Sequence, residues 1–393
     1  MGKEEYFGEL SRVAERLRGR AGEEVAIVFH NDADGLCAGA IASLALKRAG
    51  VKYKPISIEK IHPAILRLVH SSGHKLYIYL DIGSGRADLV AEAAEESGSE
   101  AVILDHHDPR RVESSRVVSL NPELYGFSGE SEVSGSTATY LSMREVSKLK
   151  DAAWMAVVGS AEIPGPLQGL NRIPLEDAIS VGDVEVRESG GKERYYIKFL
   201  RKPWSKVSST LTAIGSVGYY RGGPYQAVEY LLSRSIDEGE AARLEEERKK
   251  RFRQAFAVVA RRRLKTHGRV QWFHLGSLFK GLGTKTLGTF TSMLSYRGIV
   301  QPDRYLVGFM EFEPELPGLG RVEGEWVKVS VRTPKKVSEE VRAGRLPPAS
   351  ELTVKASEEV GGTGDGHSFA ASALIPAGEE ERFIEIFDGL IGG

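Results

Sequence analysis

Apolar residues in the first ~150 positions fall into short unbroken runs separated by helix-like stretches. VAIVF (25–29), LYIYL (76–80) and AVIL (101–104) have no polar position. Runs of that length rich in β-branched and aromatic residues predict strands buried on both faces. After the first comes GLCAGAIASLALKRAG, after the second RADLVAEAAEESG, and VVSL (117–120) leads through a Ser/Gly stretch into STATYLSMREV. Strands alternating with helices predict an α/β fold with a doubly wound parallel sheet, whose ligands bind beyond the carboxyl ends of the strands.

Farther along the period changes. VGDVEVRESGGKERYYIKFL (181–200) alternates in period two around Ser-Gly-Gly, which predicts a hairpin insertion. GYYRGGP (218–224) is a glycine-rich loop before a short helix. Residues 236–265 are charged and helix-favouring, and nine residues from Arg248 to Lys265 are basic with no acid among them. From 267 onward, RVQWFHL, RYLVGFMEFE and EWVKVSVRT predict strands, with helices at 286–296 and near the end. The expected organisation is a first domain over 1–235, a charged connecting helix over 236–266, and a smaller α/β domain over 267–393.

Composition narrows the function classes. A chain of 393 residues suits two domains of ~100–200 residues each. No apolar run approaches the ~18 residues of a membrane span. The early acids of MGKEEYFGEL do not fit a signal peptide, so a soluble cytoplasmic protein is expected. One cysteine, Cys37, excludes an internal disulfide and a thiolate zinc site. With 53 basic against 54 acidic residues there is no global cationic field, and polyanion binding must come from a local patch. The 236–265 segment is read either as a solvated helix or as a basic face following a phosphate backbone.

The candidate chemistry lies where the strands end. VAIVF runs into His30-Asn31-Asp32-Ala33-Asp34-Gly35, LYIYL into Asp81-Ile82-Gly83-Ser84-Gly85, and AVIL into Asp105-His106-His107-Asp108. A parallel sheet carries all three turns to one edge. Carboxylates gathered there raise one another's pKa, and divalent cations resolve the repulsion. Oxygen ligands with a few imidazoles suit Mn²⁺ or Mg²⁺.

HNDADGLCAG, LDIGSG and LDHHDP resemble the first three motifs of the DHH phosphoesterase superfamily, and GGTGDGHSFAASALIP (361–376) resembles the glycine-rich signature of its associated C-terminal domain. The overall layout is most similar to archaeal RecJ-like exonucleases, including the GINS-associated nuclease. The resemblance implies two Mn²⁺ or Mg²⁺ ions, one held by His30, Asp32 and Asp81, the other by Asp34, Asp81 and His106, with Asp81 shared. It implies catalytic, phosphate-facing or orienting roles for Asp105 and His107. It also implies substrate contacts from Arg332, Gly364, Gly366 and His367, with backbone N–H groups of the glycine run approaching a phosphate. Two positions depart from the pattern. The fourth motif's aspartate is missing from AVVGSAEIPGPL (156–167), where Glu162 is the nearest carboxylate and a candidate substitute, and Ser372 stands where glycine is usual.

The implied activity is metal-dependent hydrolysis of single-stranded DNA or RNA from one end by two-metal activation of water. The resemblance leaves two rivals: a non-catalytic, GINS-binding replisome component, and a phosphoesterase of short oligonucleotides or cyclic dinucleotides. A scaffold predicts eroded metal motifs, and a small substrate has no use for the basic 236–265 segment.

Overall fold

The computed structural model describes residues 2–392. By backbone contacts the chain divides into two units, 1–242 with 317–319, and 243–316 with 320–393.

The first unit opens with helix α1 (Lys3–Arg18) and continues β1 (Glu24–Phe29), α2 (Ala33–Arg48), β2 (Lys52–Ser57), α3 (Pro63–His70), β3 (Leu76–Leu80), α4 (Ala87–Ser97), β4 (Glu100–Leu104) and β5 (Val117–Ser119). The five strands are all parallel, in the order β2-β1-β3-β4-β5. The fold class read from the sequence is therefore the observed one. β3 is buried at every position and β1 at all but its first, as a sheet covered on both faces requires. Helices α5 (Gly135–Met143), α6 (Ala153–Gly159) and α7 (Arg172–Ser180) follow. Strands β6 (Val184–Ser189) and β7 (Lys192–Ile197) form an antiparallel hairpin joined by β8 (Lys202–Pro203), and α8 (Trp204–Thr212) and α9 (Gly223–Leu232) complete the unit.

Register aligns the strand ends. Phe29 pairs with Leu80, and Leu80 with Leu104, so residues 30, 81 and 105 leave the sheet at one level. The order 2-1-3 reverses direction between β1 and β3, which places the crevice of a doubly wound sheet there.

Helix α10 (Glu238–Arg262) spans the point where the two units divide. The second unit then runs β9 (Lys265–His267), β10 (Val270–His274), α11 (Lys285–Ser295), β11 (Tyr305–Glu311), β12 (Glu315–Leu316), β13 (Gly320–Arg321), β14 (Trp326–Arg332), α12 (Lys335–Arg342), α13 (Ala349–Glu359), β15 (Thr363–His367), β16 (Ala370–Pro376) and α14 (Glu380–Ile391). Its six-stranded sheet has the order β15-β16-β14-β11-β10-β9 and is antiparallel except between β10 and β11. Val307, Val329, Val331 and Ala373 pack on α13 and α14, and Phe273, Leu306 and Met310 pack on α10 and α11. Among the described residues no helix is long and apolar enough to cross a membrane.

One buried polar network fastens α3 and α4 to the sheet. His70 is 5 % exposed and stacks on Tyr77 at 4.0 Å between ring centres. Its Nε2 lies 2.9 Å from the Tyr79 hydroxyl, and its Nδ1 lies 3.0 Å from both the Ser97 and Ser99 hydroxyls. Burial pushes its pKa down to about 4. An unfolded histidine titrates near ~6.5, so between these values the unfolded chain binds more protons. Stability from this site is whole above pH ~6.5 and is lost as pH falls toward 4, by roughly 3 kcal/mol in all. In urea melts at pH 7 and 4.5, His70→Gln should lose about 2 kcal/mol less than the wild type between the two conditions. Equal losses would show that His70 does not titrate on unfolding.

Candidate metal centre

The strand-end turns meet as the register requires, and each is held by a different device. Asp32 caps α2, with Oδ1 accepting from the Gly35 amide at 3.2 Å. Asp34, one residue into the helix, turns toward α5, where its two oxygens accept from the Gly135 and Ser136 amides at 2.8 Å each. A helix N-terminus is a favourable seat for a carboxylate. Asp81 has φ 58°, the left-handed region that aspartate tolerates better than most side chains. Gly135 opens α5 directly against it: a Cβ at 135 would lie 2.2 Å from Asp81 Oδ1.

Among the described residues, two groups have their ligand atoms close enough to share an ion: His30, Asp32 and Asp81, and Asp81, His106 and His107. His30 Nδ1 lies 2.8 Å from Asp32 Oδ2 and 3.9 Å from Asp81 Oδ2. His106 Nε2 lies 3.4 Å from Asp81 Oδ1 and 3.6 Å from Asp34 Oδ2. The structure thus brings together five of the expected ligands, His30, Asp32, Asp34, Asp81 and His106, around one buried carboxylate.

The donor set fits a divalent cation. His106 Nδ1 lies 2.7 Å from the Gly129 carbonyl, an acceptor, so a proton belongs on Nδ1, and in the neutral ring the lone pair of Nε2 faces Asp34 and Asp81. Acceptors pointed at acceptors repel unless a cation lies between them. Asp81 Oδ1 is buried and forms no hydrogen bond within the protein. Burial, and then the charges of Asp34 and Asp32, push the Asp81 carboxyl well above the usual range. The same surroundings hold the buried Cys37 thiol protonated: burial first, then the charges of Asp34, Asp32, Glu162 and Asp81.

Asp105 and His107 form a pair of their own. Asp105 Oδ1 accepts from the His106 amide at 2.8 Å and from His107 Nδ1 at 2.7 Å, while Oδ2 accepts from the Ser84 amide at 2.8 Å. Burial alone would raise this carboxyl, but the His107 charge and hydrogen bond outweigh it and hold it well below the carboxylate range. For His107 burial works downward, and the Asp105 charge and hydrogen bond push it up to about 9.

Glu162 is exposed and stands outside both groups; its Oε1 accepts from Thr212 Oγ1 at 3.1 Å. Thr212 in turn accepts from the Ala33 amide at 3.0 Å, which ties Glu162 to the first turn of α2.

Three contributors escaped the sequence reading. Gly135 and Ser136 supply the amides for Asp34, and their signal is the Ser-Gly-Ser that opens α5. A π-turn at Ala213–Val217 brings Ser216 Oγ within 3.1 Å of the Asn31 carbonyl, between His30 and Asp32. Such turns concentrate at functional sites, but nothing local in AIGSV announces one. GYYRGGP proves partly structural: Tyr219 is buried and donates to the Ser57 carbonyl at 2.8 Å.

In the second unit, Arg332 lies at the end of β14. Nε donates to Ser292 Oγ at 2.7 Å, Nη1 to Ser330 Oγ at 3.1 Å and the Val331 carbonyl at 2.8 Å, and Nη2 to the Gly288 carbonyl at 3.1 Å. No carboxylate among the described residues pairs with it, and burial pushes its pKa down to about 10. Arg332 pairs with Ala370 and Ala370 with His367, so these three stand in one row across the sheet. His367 is exposed. The space beside the glycines is filled by the protein itself: a Cβ at Gly364 would lie 2.8 Å from Ser357 Oγ, and one at Gly366 2.5 Å from Ala371 Cα. Ser372 Oγ donates to Asp365 Oδ1 at 3.2 Å. On α10, Arg248 pairs with Glu245, and Lys249 and Arg253 with Glu246, whereas Arg261, Arg262 and Arg263 are exposed with no ion pair among the described residues.

Residues 24–158 match the DHH family, N-terminal domain. The uncharacterized protein MJ0831 of Methanocaldococcus jannaschii is 27% identical over 162 residues, 39% of this chain and 36% of that protein, so the match spans about a third of the relative's length. RecJ from Thermus thermophilus, solved in complex with Mn²⁺, superposes with a TM-score of 0.63 at 17% identity over 98% of this chain and 54% of that one. CDC45 from Entamoeba histolytica superposes with a TM-score of 0.59 at 8% identity over 98% of this chain and 99% of that one. At such identities these likenesses are likenesses of fold. All three acidic strand-end turns lie within the stretch 24–158, which is similar to the N-terminal domain of the DHH family.

Proposed function

We propose that the protein is a Mn²⁺- or Mg²⁺-dependent phosphodiesterase that hydrolyses single-stranded DNA or RNA from an end. The observation that carries this reading is His106 Nε2, directed at two buried carboxylates around an Asp81 oxygen with no hydrogen-bond partner. His30, Asp32 and Asp81 would hold one ion, and Asp34, Asp81 and His106 the other. When bound, such ions supply Lewis-acid activation of water and neutralise charge on the attacked phosphate.

The chain's own groups do the rest. Gly129 fixes the ring of His106, and the amides of Gly135 and Ser136 fix Asp34. Asp105 keeps His107 protonated at neutral pH with Nδ1 engaged, which leaves the Nε2 proton to donate to a phosphate oxygen. Arg332, a cation with no carboxylate partner among the described residues, and His367 are the substrate contacts offered by the second unit. Arg261, Arg262 and Arg263 are the exposed cations for a longer strand. The likeness to CDC45 suits a replisome role and GINS binding, but a non-catalytic chain has no physical need for buried repelling carboxylates.

Single-stranded DNA and RNA labelled at the 5′ or 3′ end and incubated with Mn²⁺ should give a ladder whose direction reads the polarity. Asp81→Asn, which keeps both the side-chain shape and a tolerated left-handed backbone, should lower the rate by about a thousandfold or more, as loss of the whole centre would. A rate within about tenfold of wild type would remove the shared-ligand assignment. Arg332→Ala and His367→Ala should weaken hydrolysis of oligonucleotides while Mn²⁺ content by elemental analysis stays unchanged; a fall in content would refute the separate roles. Glu162 is retained as the candidate for a further ligand of the second ion. Glu162→Gln should raise the Mn²⁺ concentration for half-maximal activity by about tenfold, the scale of loss for a supporting ligand. Coincident titration curves would exclude it.

A further inference from the structure

The β15–β16 hairpin turns on two residues, Ser368 and Phe369. Turns of that length favour asparagine, aspartate and glycine, so turn chemistry does not explain a phenylalanine. Phe369 is 37 % exposed, yet its backbone is firmly held. Its carbonyl accepts from both the amide and the hydroxyl of Thr333 at 3.2 Å, and the Ser368 carbonyl accepts from the Ala349 amide at 2.9 Å. The guanidinium of Arg342, exposed on α12, lies 4.9 Å from the ring centre. Phe369 also adjoins Ala370, the middle member of the row Arg332–Ala370–His367.

We infer that Phe369, with Arg342, is a stacking platform for a nucleobase of a single-stranded nucleic acid whose backbone phosphate is held by Arg332 and His367. The inference rests on the proposed function and specifies what the second unit reads. A fixed, exposed aromatic with a guanidinium beside it is how proteins hold single strands without regard to sequence. A protein partner is the poorer fit, because such an interface needs several hundred square ångströms of contiguous apolar surface. The other large exposed apolar side chains of this unit, Met293, Tyr296 and Ile299, belong to α11 and the loop after it. A base needs only one ring face.

The test is equilibrium binding of fluorescein-labelled oligothymidylate, about fifteen nucleotides long, read by anisotropy in EDTA so that no hydrolysis occurs. Phe369→Ala should weaken binding about tenfold, the scale of one lost base stack, and Phe369→Trp should restore it. An abasic strand of equal length should bind wild type and Phe369→Ala alike. Thermal melts of the variants confirm that the fold is retained. Unchanged oligothymidylate binding by Phe369→Ala, an equal loss on the abasic strand, or failure of Phe369→Trp to rescue would each overturn the platform while leaving the proposed function intact. Failure of wild-type protein to bind any single strand would strike the proposed function itself, and the platform with it.

Discussion

Mutual repulsion among Asp32, Asp34 and Asp81 is the constraint around which the first unit is arranged. All three are buried at one edge of a parallel sheet, and at Asp81 desolvation and like charge both oppose ionisation. The fold answers in part with oriented dipoles: α2 begins at Asp32, and α5 presents two amides to Asp34. Asp81 has no such answer for its Oδ1. The remaining imbalance is what makes this edge a candidate cation site and not a set of helix caps. Asp105, two strands from β1, shows the contrast, since with four N–H donors on it, His107 Nδ1 among them, the charge is already met.

The parts legible in the sequence are those whose signal is local. β1, β3 and β4 are nearly continuous apolar runs because both of their faces are covered, and they end at His30, Asp81 and Asp105, which the register sets level. The four candidate ligands that the fold gathers around Asp81 could therefore be named from three short strings. β2 was not legible. It is an edge strand whose outer half alternates exposed and half-buried positions around Pro55, and it carries none of the apolar continuity of its neighbours. α3, only eight residues long and capped by His62, was missed for a similar reason.

What lies beyond any local signal is the set of close approaches. Gly159 at the end of α6 would place a Cβ 2.2 Å from Ser136 Oγ and 2.6 Å from Asp34 Oδ1. Its role depends on two elements distant in sequence. The same is true of Gly364, which reads as a phosphate-approach glycine in isolation but has its side-chain space taken by α13. A glycine in a sequence announces a near neighbour; only the fold says which neighbour it is.

Cys37 carries a practical consequence. It is the chain's single thiol, fully buried in α2, and held protonated by burial and by the carboxylates around it. Thiols react as thiolates, so in the native protein this one is shielded from alkylating reagents both sterically and electrostatically. Opening of α2 removes both protections together. The native chain thus contains a label-ready reporter within the field of its buried carboxylates, and the rate of Cys37 alkylation becomes a direct measure of how often that part of the molecule comes apart.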